Sequence, residues 1–164
     1  MPANAGSSET RFVADRMLGT LTRYLRFMGY DTVSANGFGE GNPDEDSRLL
    51  ALAHDEHRIL LTKDHELARR GNDLAVLVTE GDVLAQVQQL VDMGLVERRL
   101  PMSRCSICNT VLREAREDEI GAATYAPCDR DGYTFFWCEQ CGKLYWNGSH
   151  GKSLSRRIDA GLKF

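Results

Sequence analysis

Two hydrophobic rhythms alternate through the first part of the chain. The first is a short run that is apolar at nearly every position, as in Arg11-Phe12-Val13-Ala14, Ile59-Leu60-Leu61-Thr62 and Leu74 to Val78. Such runs are the mark of strands buried on both faces of a parallel sheet. Asp31 to Ser34 reads as a further short strand. The second rhythm is helical. Met17, Leu18, Leu21, Leu25 and Met28 predict a helix from about Arg16 to Met28, with Gly29 as its stop. Asp46 stands where an N-cap would, ahead of Leu49, Leu50 and Ala53. Asp82 opens a last helix bearing Val83, Leu84, Val87, Leu90 and Val91 at i, i+1, i+4, i+7, i+8 spacing. The Gly-rich stretch 36–43 breaks structure and lacks the Lys-Ser/Thr ending of a phosphate-binding P-loop. Strands alternating with helices predict an α/β fold, a parallel sheet flanked by helices.

Near Leu100 the composition changes. After Pro101 come the cysteines, most of the aromatics and few aliphatic runs. The reading places an α/β domain at 11–98 and a cysteine-rich ribbon at 101–150. A disordered start at 1–10 and a C-terminal tail at 151–164, with helix among its options, complete the chain. The 164 residues are 42% hydrophobic and carry a net charge of −4. Binding to nucleic acid therefore needs a local basic patch rather than a global positive field. No apolar run approaches the roughly 18 residues that cross a bilayer. The N-terminus has neither the basic start nor the apolar stretch of a secretory signal. The expected compartment is the cytoplasm, where paired cysteines bind metal more often than they form disulfides.

Cys105-x-x-Cys108 and Cys138-x-x-Cys141 are separated by 29 residues. Each pair makes a tight knuckle that turns two thiolates toward one point, and two knuckles complete a tetrahedron about 2.3 Å from a zinc ion. Asn109 and Gly142 follow the second cysteine of each pair, and both tolerate the left-handed backbone that knuckles need. A redox pair would instead follow a strand within the α/β part. Four protein ligands leave no open coordination position, so the zinc is expected to be structural. Cys128 is left over as an ordinary thiol or a substitute ligand.

Asp15 follows the first strand, Asp46 begins a helix, and Asp64 follows the strand ending at Thr62. Residues just past parallel strands gather at one sheet edge, the usual binding crevice. Carboxylates collected there repel one another unless a cation sits between them, and Mg²⁺ or Mn²⁺ suits such oxygen ligands and phosphate substrates. On the first helix, Arg16, Arg23 and Arg26 fall within a sector of about 80°, opposite the apolar face. That stripe is a candidate rest for phosphates. His54, His57 and His65 flank the same edge without metal spacing and read as surface residues, and His150 reads as packing on the ribbon.

Together these residues resemble the PIN-like ribonuclease domains with an appended zinc ribbon that are named after the C-terminal part of the Mut-seven exonuclease, the Mut7-C type. The resemblance is carried by Arg11 to Gly19, Leu25 to Thr32, Leu61-Thr62-Lys63-Asp64, Ser103 to Asn109, Cys138 to Gly142 and Tyr145 to His150. It implies a metal-dependent ribonuclease, endonucleolytic on RNA, with Asp15, Asp46 and Asp64 as the catalytic metal ligands. The ribbon would assist docking to RNA or a ribonucleoprotein. The further acid that many PIN domains carry on a middle helix has no counterpart, and Asp44, Glu45, Asp31 and Asp82 stand as alternatives. The rival reading is a non-catalytic RNA- or ribosome-binding zinc-ribbon protein. A phosphatase is disfavoured, because Asp15-Arg16-Met17 lacks the second acid of a DxD motif.

Overall fold

The computed structural model describes residues 10–38 and 43–147. The expectations for residues 1–9, for positions 39–42 of the Gly-rich stretch, for His150 and for the 151–164 tail lie outside them.

Strands β1 (Arg11–Ala14), β2 (Asp31–Ser34), β3 (Ile59–Thr62) and β4 (Ala75–Leu77) form one parallel sheet in the order β2-β1-β3-β4. Arg11 pairs with Asp31, Phe12 with Ile59 and Leu60 with Ala75. The strands are solidly apolar because successive side chains point to opposite faces and both faces are covered. Phe12, Ala14 and Leu61 pack with Leu21 and Leu25 of α1 (Gly19–Phe27) and with Val87 and Leu90 of α4 (Val83–Asp92). Val13 and Leu60 pack with Leu49 and Ala53 of α2 (Glu45–Asp55) and with Leu67 of α3 (His65–Gly71). No helix among the described residues is long and apolar enough to cross a membrane.

Local chemistry shifts several helix starts. The predicted helix from Arg16 is divided into a 3-10 turn, Arg16–Leu18, and then α1. The Asp15 carboxylate accepts the Met17 N–H at 2.9 Å and tightens that first turn. Asp46 is not an N-cap. Helix α2 starts two residues earlier, with Asp44 in the cap position and Asp46 exposed in the first turn. Acids are favourable at both places, one as a cap and the other through the helix dipole, so composition does not separate them. Helix α3, capped by Asp64, is too short to show a hydrophobic period.

The chain then crosses back to the end of α1, where Met102 N–H bonds Phe27 O at 2.9 Å. Strands β5 (Arg113–Glu114), β6 (Phe135–Cys138) and β7 (Lys143–Trp146) form an antiparallel ribbon in the order β5-β6-β7, with α5 (Glu117–Ala122) between β5 and β6. Ile120, Phe135 and Leu144 make its small core. Tyr145 meets Phe27 of α1 edge-to-face, with ring centroids 6.1 Å apart.

The tightest packing is at Gly71, where an added Cβ would lie 2.5 Å from Ala75 Cβ. Gly71→Ala is therefore expected to lose about 1–3 kcal/mol from overpacking of α3 on β4. Urea unfolding of the two proteins measures this, and equal midpoints would refute it.

Candidate functional site

The strand order places β2 on one side of β1 and β3 on the other, so the direction of winding reverses between β1 and β3. In open parallel sheets the binding crevice opens beyond the strand ends at this point. Asp15 lies just past β1, and Asp64 lies just past β3. One hydroxyl links them: Thr62 Oγ1 donates to Asp15 Oδ2 and accepts the Asp64 N–H at 3.0 Å. Asp15 is buried and also accepts from Met17 N and, at 3.3 Å, from Lys63 N. It thus uses three of the roughly four acceptor sites a carboxylate offers. Asp64 is exposed, and its Oδ1 caps α3 by accepting from Glu66 N at 2.8 Å and Leu67 N at 3.0 Å. Among the described residues, no hydrogen bond falls on Asp64 Oδ2. Lys63, between the two linked residues in sequence, is drawn aside to Glu80 O at 2.8 Å.

Asp15, Asp46 and Asp64 do not gather their carboxylate oxygens within 4.8 Å of one another. Among the described residues, only the four cysteines bring three or more metal-binding side chains within 4.8 Å of one another. Asp46, in the first turn of α2, stands 3.8 Å from Arg70 Nη1. Asp31 is excluded as a fourth acid: it starts β2 and so lies at the opposite end of the strands. Asp82 caps α4 by accepting from Leu84 N and Ala85 N. Glu45 sits next to the edge through its 2.6 Å ion pair with Arg16 Nε. His54, His57 and His65 are exposed. The Thr-x-Asp spacing was visible in the sequence, but the role of Thr62 as the link between two acids was not.

The basic stripe is corrected at Arg26. Arg16 and Arg23 lie toward solvent, the first held by Glu45 and the second exposed. Arg26 is buried, with Nε on Thr32 O at 2.9 Å and Nη1 on Ser106 O at 2.7 Å and Ile107 O at 3.1 Å. The ribbon covers this part of α1, which a helical wheel leaves open to water. Burial lowers the Arg26 pKa, and the nearby thiols of Cys105 and Cys108 oppose that shift.

The cysteine knuckles converge as predicted. Cys108 and Cys138 Sγ are 3.4 Å apart, and Cys105 and Cys141 Sγ are 3.9 Å apart. Four sulfurs around an ion at about 2.3 Å would sit about 3.8 Å from one another, so this donor set fits a tetrahedral zinc ion. Cys128 is exposed and outside the cluster. Asn109 adopts φ 70° and Gly142 φ 61°, the left-handed turns that close the knuckles. Asn109 N–H bonds Cys105 O at 2.9 Å and Gly142 N–H bonds Cys138 O at 2.8 Å. Tyr145 Oη lies 3.0 Å from Cys105 Sγ. Burial resists ionisation of Cys108, but Thr110 and the neighbouring thiols outweigh it and bring the pKa down to about 6. Hydrogen bonding with Cys108 and burial together push Cys141 up to about 12.

The first knuckle also grips the sheet. Asn109 Oδ1 accepts the Thr32 N–H at 3.1 Å, and its Nδ2 donates to Asp31 Oδ1 at 2.7 Å. Asp31 in turn receives Arg58 Nη1 at 2.9 Å and Nη2 at 3.3 Å. Burial raises the Asp31 pKa, but the Arg58 and Asn109 hydrogen bonds overcome it and hold the value at about 2.

A family model described as the Mut7-C RNAse domain matches residues 10–158. No curated protein and no solved structure matches the chain.

Two outcomes are expected from this geometry. Elemental analysis should find one zinc per chain, and Cys138→Ser should lose it. Amide exchange at Thr32 should then accelerate, because its acceptor belongs to the knuckle; an unchanged Thr32 rate in zinc-free protein would show that the knuckle does not hold β2. The second outcome concerns acid. Asp31 has a lower pKa folded than unfolded, so its charge stabilises the fold above about pH 4, and this contribution fades as pH falls toward 2. After allowance for partial exposure it is worth about 1–2 kcal/mol. Urea unfolding from pH 2 to 7 should show the parent's advantage over Asp31→Asn shrinking across that window. A constant difference would refute the assignment.

Proposed function

The chain belongs to the Mut7-C RNAse domain family, and from that premise we propose that it is a metal-dependent ribonuclease acting endonucleolytically at the Asp15–Asp64 edge. The observation that carries the reading is that the Thr62 hydroxyl joins the Asp15 carboxylate to the backbone N–H of Asp64 at the point where the sheet reverses its winding. Mg²⁺ needs only one or two carboxylates and keeps its other positions for water and phosphate, which suits a pair of acids better than a closed cage. Mg²⁺ or Mn²⁺ held there supplies an activated water and neutralises charge on the reacting phosphate.

Asp15 and Asp64 are the residues that would hold the cation. Thr62 fixes the Asp15 carboxylate, and the helix cap engages one oxygen of Asp64, Oδ1. Glu45 holds the Arg16 guanidinium next to the edge, where an incoming phosphate would meet it. Zinc in the four-cysteine cluster would be structural, and the ribbon would help to position RNA. Free thiols at such a site suit the reducing cytoplasm.

One observation favours the rival reading of a non-catalytic RNA-binding protein: both acids already have structural work as helix caps. Asp64→Asn separates the two, because Asn caps helices as well as Asp does. The variant should keep its melting temperature, lose the stabilisation given by Mn²⁺, and cleave single-stranded RNA about 100-fold more slowly or worse. Cleavage at the parent's rate would remove Asp64 from the site. A parent that binds RNA but never cleaves it with Mn²⁺ would favour the rival.

A further inference from the structure

A groove of about 740 Å³ runs between α1, the end of β2 and the Cys105–Cys108 knuckle. One end begins at Met17 and Asn36, beside Arg16, whose Nη1 lies 3.5 Å from Asn36 Oδ1. This is the Asp15 end of the helix. The other end is the knuckle itself, at Ile107 and Asn109. Among the described residues, Arg23 and Arg26 line the groove and no acidic side chain does. That is notable in a protein of net charge −4. The contrast within the molecule is sharp: among the described residues, a second groove, of about 700 Å³ along α4, is lined by Glu80, Asp82 and Asp92 and by no lysine or arginine.

Two large apolar side chains stand exposed at the ends of the cationic groove, Met17 at 73% and Ile107 at 59%. A single exposed aliphatic needs no explanation. A pair bracketing a groove that carries Arg23 is the combination that single-stranded nucleic acid uses, with charge for the backbone and apolar faces for the bases. The knuckle is fixed for such a task, since Arg26 holds both carbonyls at its tip, those of Ser106 and Ile107. From Met17 to Arg26 the helix rises about 14 Å at 1.5 Å per residue.

We propose that this groove holds a single-stranded segment of the RNA substrate and leads it to the Asp15–Asp64 edge, with Arg23 on phosphate and Met17 and Ile107 against bases. The inference rests on the ribonuclease reading and adds to it the strand type, the path and a binding role for the zinc knuckle.

The test uses the full zinc-loaded chain without Mg²⁺ or Mn²⁺, and a 5′-labelled oligouridylate of about twelve nucleotides, within the usual span of single-strand sites. Ile107→Glu and Arg23→Gln alter exposed side chains, and zinc content with melting temperature confirms that each variant is folded. Each should weaken binding about five-fold or more, and Arg23→Gln should also lower the salt slope by about one phosphate contact. Met93→Glu, at the acidic groove, should bind like the parent. Photocrosslinking with a 4-thiouridine oligomer should place adducts on Met17 or Ile107. Undiminished binding in both variants, adducts elsewhere, or equal displacement by duplex RNA overturns the proposal. Binding is read without the catalytic cation, which separates the two claims. A protein that binds in the groove and never cleaves sinks only the nuclease reading. Variants that bind and cleave like an active parent sink only the groove.

Discussion

The buried guanidinium of Arg26 is the interaction on which the arrangement of this protein depends. A charge taken out of water costs several kcal/mol unless hydrogen bonds and opposite charge replace the lost hydration. Here the replacements come from two different parts of the chain. Thr32 of β2 supplies one carbonyl, and Ser106 and Ile107 of the first knuckle supply two more. The thiols of Cys105 and Cys108 lie close enough to oppose the fall in the Arg26 pKa. Moving the ribbon away from α1 would strand this charge with most of its partners gone. The α/β part and the ribbon are therefore one electrostatic unit.

The same contact solves a problem of the sheet. Strand β2 is an outer strand, and an outer strand presents unpaired backbone groups that invite association with other chains. The knuckle covers it with a side chain that imitates a neighbouring strand: Asn109 accepts the Thr32 N–H and donates to Asp31. Asn109 can do so because it occupies the left-handed turn after Cys108, a conformation that asparagine tolerates. One residue thus closes the metal knuckle and caps the sheet edge. Arg58 anchors the far side of Asp31 and adds a bond to Phe12 O, carrying the connection into the central strand.

At the other end of the strands, economy of a different kind operates. Asp15 and Asp64 cap the helical turns that follow their strands, and the backbone N–H groups they accept hold the carboxylates in place. The Thr62 hydroxyl sets Asp15 against the start of the Asp64 loop. The groove beside α1, lined by Arg23 and Arg26, and the groove along α4, lined by Glu80, Asp82 and Asp92, differ in charge.

Much of this was legible in the sequence, for identifiable reasons. The solidly apolar runs revealed the parallel strands, because side chains buried on both faces leave no room for alternation. The spacing within each Cys-x-x-Cys revealed the knuckles, because a local turn decides that geometry. The start of α2 was misplaced, since acids are favourable both at the cap and in the first turn. Asp46 was consequently grouped with Asp15 and Asp64, whereas it stands near Arg70. Arg26 was read as a surface residue because a helical wheel knows only the core that the helix itself builds.

What the sequence determined by itself is therefore whatever depends on neighbours a few residues away: strand and helix periods, the helix start at Asp82 and the paired cysteines. Only the tertiary structure decided which surfaces remain surfaces. The ribbon lies roughly 80 positions downstream of Arg26, and no local pattern records where it docks. Its docking turned one arginine of a solvent-facing stripe into a buried clamp and left Arg23 exposed beside a groove. The reason is physical: hydrogen bonds and burial depend on distance in space, and sequence spacing predicts that distance only within a single element.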